Sequence, residues 1–293
     1  MLATTLWLYP GCRRAPFYRM TRRASESLPL SREGIAAYER GDLSAAEEKL
    51  GQAFELNDCD VETCRYYGET LWERGKRVEA LDVLRSAADK NGPVETQISL
   101  YRSLGEKALE VDKPDRTIFW ANKIIDLAPK SPIGWELRGK GSRRLGLSED
   151  ALADFQRAAH FQVDDRILLS RIASIQNELG DYDAALASWQ YLEQLYPTNR
   201  EPPEIFAGKG DAYFGLNLLE QARDSFAIAA RSAPNESDYQ VRLARTALAL
   251  GDLELVDALA RNSNDPTLRE YVNRARRDRL EIAEKRSDAS TLR

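Results

Sequence analysis

The sequence predicts an all-α fold, a solenoid of stacked helical hairpins closed by a C-terminal capping helix. Three observations carry this expectation. Gly41, Gly75, Gly146, Gly180 and Gly251 recur in one phase, and Asp112 and Asn217 complete a row whose steps are 34, 37, 34, 34, 37 and 34 residues. A fixed period near 34 residues is the signature of a stacked two-helix unit. Around that row, small residues stand at fixed offsets and one bulky residue follows them. Composition agrees: of 293 residues, 43% are apolar and 30% charged, with only 12 Pro and 17 Gly.

The elements follow in chain order. Residues 1–27 form a leader unlike the remainder. Met1–Pro10 is apolar, Gly11-Cys12 follows, and Arg13, Arg14, Arg19, Arg22 and Arg23 precede the first acid, Glu26. A short apolar stretch ending in Gly-Cys resembles the tail of a bacterial lipoprotein signal, with Cys12 as the acylated residue. Tyr9 and Pro10 depart from that pattern, and no basic segment precedes the apolar one. The other reading is a disordered basic leader. Localisation is therefore either cytoplasmic or, through Cys12, the bacterial cell envelope. Were Cys12 lipidated, Cys59 and Cys64 could pair in an oxidising compartment. The simpler reading places Cys64 in helix packing and Cys59 in the preceding turn.

Residues 28–262 read as about seven hairpins. With the glycine phase set as position 15, position 8 holds Gly34, Gly68, Gly105, Gly139, Ala173, Gly210 and Ala244. Position 20 holds Ala46, Ala80, Thr117, Ala151, Ala185, Ala222 and Val256. Position 24 holds Leu50, Leu84, Ala121, Phe155, Trp189, Phe226 and Ala260. Small residues let helix backbones approach, and a larger side chain there overpacks the contact. The bulky residue at 24 is expected to fill the space left between neighbouring hairpins. Glycine at 15 ends the first helix in a left-handed conformation. Asp42, Asp181 and Asp252 follow it as caps for the second helix. Pro129, Pro197 and Pro234 end second helices. The three-residue insertions fall near residues 91–94 and 199–203, where inter-hairpin turns can absorb them. The third unit is degenerate, with Asp112 in place of Gly and Thr117 in place of Ala.

After the turn at residues 262–266, residues 263–286 contain the expected capping helix, with Leu268, Tyr271, Val272, Ala275, Leu280 and Ile282 on one face. A solenoid needs such a cover for its open end. Residues 287–293 read as a disordered tail.

These rows resemble the tetratricopeptide repeat family. The clearest units are Ser31 to Cys64 and Arg166 to Asn199, and Trp135, Gly139, Gly146, Ala151, Phe155 and Ala158 match its spacing. The resemblance covers about residues 31–262. It implies a right-handed superhelical solenoid of helix-turn-helix hairpins, and a binding scaffold rather than an enzyme. In this family positions 2, 5, 9, 12 and 13 of the first helices line a concave face. Carried onto this chain, that rule marks Tyr38, Glu69, Trp72, Glu106, Leu109, Lys140, Arg143, Asn177, Asp211 and Phe214 as partner-binding residues. Tyr38, Trp72 and Phe214 are either groove anchors or packing residues. Arg65 and Arg102 are placed to pair with Glu69 and Glu106. Acidic residues lead along the face, and Lys140, Arg143, Arg144 and Arg171 follow, a basic middle that would attract an acidic segment. Chaperone adaptors of this family grip a terminal carboxylate with Lys at position 5 and Asn at position 9. Here position 5 reads Ser31, Arg65, Arg102, Glu136, Ser170, Ala207 and Val241, and position 9 holds no Asn, so that role is rejected.

No catalytic constellation is expected. The single histidine, His160, stands in a solvent-facing row without partners for a triad or a metal. Gly139-Lys140-Gly141 lacks the spacing of a phosphate-binding loop. No cofactor is implied. A net charge of −5 argues against general nucleic-acid binding. The expected partner is a protein or peptide segment, held in the groove. The alternative is a structural assembly subunit that self-associates or docks in a larger complex.

Overall fold

The computed structural model describes residues 17–57, 60–90, 92–198 and 200–262, and, beyond these, residues 266, 269–274 and 277. Cys12, Cys59, the apolar start of the leader and residues 287–293 lie outside them. The chain is all-α, built of consecutive antiparallel hairpins, and divides into two compact units, Met1–Asp154 and Phe155–Arg293.

The first unit holds α1 (Phe17–Glu39), α2 (Leu43–Leu56), α3 (Val61–Glu73), α4 (Arg77–Ala88), α5 (Val94–Glu110), α6 (Pro114–Leu127), α7 (Pro132–Arg144) and the start of α8 (Ser148–Phe161). The second holds the end of α8, then α9 (Arg166–Glu178), α10 (Tyr182–Gln194), α11 (Pro203–Gly215), α12 (Leu219–Ser232), α13 (Ser237–Leu250) and α14 (Leu253–Asn262).

The turn row has one conformation throughout. Gly41, Gly75, Gly146, Gly180 and Gly251 take φ of 78–83°, and Asp112 and Asn217 take 55° and 59°. The left-handed turn thus survives where glycine does not, because short polar side chains tolerate it best among L-residues. The caps form as expected: Asp42, Asp181 and Asp252 accept from the backbone N–H of Ala45, Ala184 and Leu255 at 3.1, 3.4 and 3.0 Å.

The small-to-large rows interlock in two ways. A Cβ on Gly34, Gly68 or Gly210 would lie 2.5–2.6 Å from Leu50, Leu84 or Phe226 of the same hairpin. The bulky residue therefore closes its own hairpin, where the sequence suggested a plug between neighbours. Trp189 is the exception. Its ring lies against Gly208 of the following hairpin, since Ala173 leaves less room than glycine. The degenerate third unit repairs itself. Ala121 is too small to fill the space at Gly105, and Leu137 of the next hairpin occupies it, 2.6 Å from where a Cβ would stand. Thr117, where alanine is usual, donates its hydroxyl to the Gly105 carbonyl at 3.0 Å.

Three boundaries differ from expectation. α1 begins at Phe17, well before the start of the array at residue 28, and contains Pro29. Proline lacks the N–H of a helix interior but suits a first turn, so Pro29 marks where the repeat's own helix begins. The first insertion lengthens a helix rather than a turn: α5 has 17 residues, against 13 in α3 and α7. The second insertion lies in the connection at residues 195–202. At the C-terminal side, residues 269–274 are helical, and Val272 is buried among Ala244, Ala247 and Val256.

Candidate partner-binding face

In the first unit, the first helices of the hairpins are α1, α3, α5 and α7. Their shared face carries a polar network centred on Glu69. Its carboxylate accepts from the Ser103 hydroxyl and from the buried Lys107 ammonium, both on α5. The pairing of Arg65 with Glu69 expected from spacing does not form. Arg65 lies over the Tyr66 ring, 4.0 Å from its centroid, and Glu69 is taken by a cation from the next hairpin. Burial explains the choice, since a buried ammonium is costly unless a carboxylate meets it.

Trp72 is packed. It is 7% exposed, within a cluster containing Leu71 and Ala80. Its indole N–H donates to Glu110 at 2.9 Å, and Lys107 and Arg77 approach its ring at 5.2 and 5.3 Å. A ligand anchor must offer open area, and Trp72 offers almost none, so its contribution is to hold Glu110 and Lys107 in place. Leu109 is half-buried beside Ala121, Ile124 and Leu137. Tyr38 keeps a half-exposed ring, edge-on to Tyr66 with centroids 5.6 Å apart. Burial first, then the nearby Glu69 and Glu73 carboxylates, push the Tyr38 hydroxyl above its ordinary pKa.

The remaining charges on this face are mostly engaged. Arg102 pairs with Glu106 at 2.9 Å, the i,i+4 contact anticipated from the sequence. Lys140 pairs with Glu136 at 2.9 Å, and Arg144 with Asp112 at 2.7 Å. Arg143 is half-buried. Two cations of the basic middle, Lys140 and Arg144, are therefore neutralised by acids of their own chain. Spacing alone did not single out Lys107 or Ser103, because both sit one place off the rows assigned to the face.

In the second unit, Asn177 on α9 donates to the Gly208 carbonyl on α11 at 2.8 Å, a bond between successive first helices. Asp211 is paired with Arg242, which also holds Asp238 at 2.7 Å. Burial raises the Asp211 pKa against the pull of Arg242. Phe214 is half-exposed, with the Arg245 guanidinium 4.5 Å above its ring. Such a cation–π contact at a wet surface contributes about 0.5–1 kcal/mol, and the ring also packs against the cluster of Ala222, Phe226 and Leu243.

His160 is exposed. Among the described residues, no group of three His, Cys, Asp or Glu side chains could hold a metal ion. Among them also, no helix is long and apolar enough to cross a membrane.

The tetratricopeptide repeat family model matches residues 31–96 and 208–255. Tetratricopeptide repeat protein 37 of Xenopus laevis is 27% identical over 186 residues, which cover 64% of this chain and 12% of that protein. Superkiller protein 3 of Schizosaccharomyces pombe is 24% identical over 195 residues, covering 65% of this chain and 14% of that one. The chain thus spans about an eighth of the length of these curated relatives. Among solved structures, a tetratricopeptide repeat protein from Parabacteroides merdae superposes with a TM-score of 0.59 at 18% identity, over 86% of this chain and 99% of its own. Cut9, in the APC/C hetero-tetramer Cut9–Hcn1, gives 0.55 at 14% identity, over 75% of this chain and 42% of its own. MamA from Desulfovibrio magneticus gives 0.52 at 17% identity, over 66% of this chain and 97% of its own. These structural likenesses concern the fold.

Proposed function

Because the chain is a tetratricopeptide repeat protein, we propose that it is a noncatalytic scaffold that binds a segment of a partner protein on the face of its first helices. One observation carries the reading. On that face of each unit a half-exposed aromatic ring stands beside fixed charges: Tyr38 near Glu69 and Glu73, and Phe214 under Arg245. Aromatic anchors ringed by polar groups are where binding energy concentrates. Lys140, Glu106, Asn177 and Asp211 set the polar surroundings, and no nucleic acid or cofactor enters the reading. The test is recovery of partners from lysate by the tagged chain. Tyr38→Ala with Phe214→Ala reduces recovery of specific partners at unchanged helicity, and unaltered recovery counts against the reading.

A second reading is an assembly subunit. In the second unit, Phe161, Val163 and Ile167 at the α8–α9 turn are exposed at 38%, 74% and 66%. Apolar side chains gathered at one turn suit self-association or docking. Cut9, a structural neighbour, is found within a hetero-tetramer. Val163→Glu with Ile167→Glu then shifts sedimentation toward the monomer, whereas a wild-type chain that stays monomeric at high concentration removes this reading. Attachment to the bacterial envelope through Cys12 is a separate proposal, resting on the Gly11-Cys12 pair behind an apolar stretch. Cys12→Ser, expressed with the authentic upstream sequence, moves the protein to the soluble fraction if it holds.

A further inference from the structure

We infer that the first-helix face of the first unit takes an extended, basic segment, with Lys or Arg at about every third residue. This deepens the proposed function and rests on its choice of face.

The charges still available on the face decide the ligand's sign. Five cations are already in use: Lys107 on Glu69, Arg102 on Glu106, Lys140 on Glu136, Arg144 on Asp112, and Arg65 over the Tyr66 ring. The acids are not. Position 13 of the first three hairpins holds Glu39, Glu73 and Glu110, all exposed. Among the described residues, neither Glu39 nor Glu73 is ion-paired. Glu110 accepts only the neutral indole N–H of Trp72, which orients the carboxylate without cancelling its charge. The available charge at position 13 of α1, α3 and α5 is therefore negative, although the residue count along the face is mixed.

Spacing then sets the period of an extended ligand's cations. The three glutamates hold the same position on successive first helices, and packed helices lie about 8–10 Å apart. An extended chain advances about 3.3 Å per residue, so cations three residues apart match that pitch. A helical ligand would need about seven residues for the same rise. Tyr38, half-exposed and near Glu73, offers its ring to one of the cations. Its neighbour Tyr66 already shows the mode, with Arg65 seated over it.

The test uses the full chain and three fluorescein-labelled ten-residue peptides in a Gly/Ser background. The first carries arginine at every third position, the second carries glutamate at those positions, and the third carries four contiguous arginines. Anisotropy is expected to show binding of the first, several-fold weaker binding of the third, and none of the second. Glu39→Gln, Glu73→Gln and Glu110→Gln together weaken the first peptide about tenfold, since each exposed pair contributes a factor of a few. The amide introduced by Glu110→Gln keeps an acceptor oxygen for Trp72, and circular dichroism checks the fold. Glu73→Gln alone gives a smaller loss in the same direction. Unchanged affinity in the triple variant, or no binding of the spaced-arginine peptide, overturns the inference. Binding of the glutamate peptide, lost on Lys140→Ala with Arg144→Ala, also overturns it, while leaving the broader choice of face intact.

Discussion

At the residue scale, the turn row and the glycine rows act through different physics, and substitutions separate them. Gly68 lies inside α3 with Leu84 against it, so Gly68→Ala gains helix propensity but drives a methyl into the Leu84 side chain. The clash outweighs the propensity gain of about 1 kcal/mol, and urea denaturation should show a net loss of about 1–2 kcal/mol. Asn217 holds a left-handed φ of 59°, and Asn217→Gly should stabilise the chain by about 0.5–1 kcal/mol in the same assay. Asp211 offers a pH signature. Burial raises its folded-state pKa above 3.8, so folding retains a proton that the unfolded chain releases. Its contribution to stability therefore falls as pH rises from 3.8 through the elevated value. Asp211→Asn should flatten that part of the melting-temperature profile. The turn row was legible in the sequence even at Asp112 and Asn217, because a left-handed turn admits few residue types. The burial of Trp72 was not, since a position in a repeat specifies direction but not which neighbour fills the space. Lys107 was missed for the same reason: its partner Glu69 lies 38 residues away, on another hairpin.

At the element scale, caps and polar ties decide how firmly each helix is held. Asp181 caps α10, and Asp181→Ala should cost about 1 kcal/mol, measured by chemical denaturation. Arg138 joins α7 to α8 and α6. It donates to both Asp154 oxygens at 2.9 and 2.7 Å and to the Asn122 side chain at 3.0 Å, with its guanidinium 4.8 Å from the Trp135 ring. Arg138→Met keeps the stem but strands the buried Asp154 carboxylate, and should cost about 2–3 kcal/mol. Arg138→Lys recovers only part, because a single ammonium cannot reproduce a planar fork. Helix order, turn type and capping could be read from spacing and residue chemistry. The fate of an insertion could not. Residues added near 91–94 extended α5 because Val94, Glu95 and Gln97 can all continue a helix, with Pro93 as an acceptable leading residue. Those near 199–203 stayed in a connection, where Pro202 and Pro203 prevent α11 from starting earlier.

At the scale of the whole molecule, repetition brings one residue position onto the first helices of each unit several times, and the proposed binding draws on the charges left there. Salt should weaken binding on the acidic part of the face, because exposed charges are screened within about 8 Å at physiological ionic strength. The most direct test replaces Tyr38 with a photo-crosslinking phenylalanine analogue in the full chain. Val78, 75% exposed near the start of a second helix, is replaced likewise as the control. Binding on the first-helix face predicts specific crosslinked partners from position 38 and none from position 78. Equal yields from both positions, or partners trapped only from position 78, would contradict it.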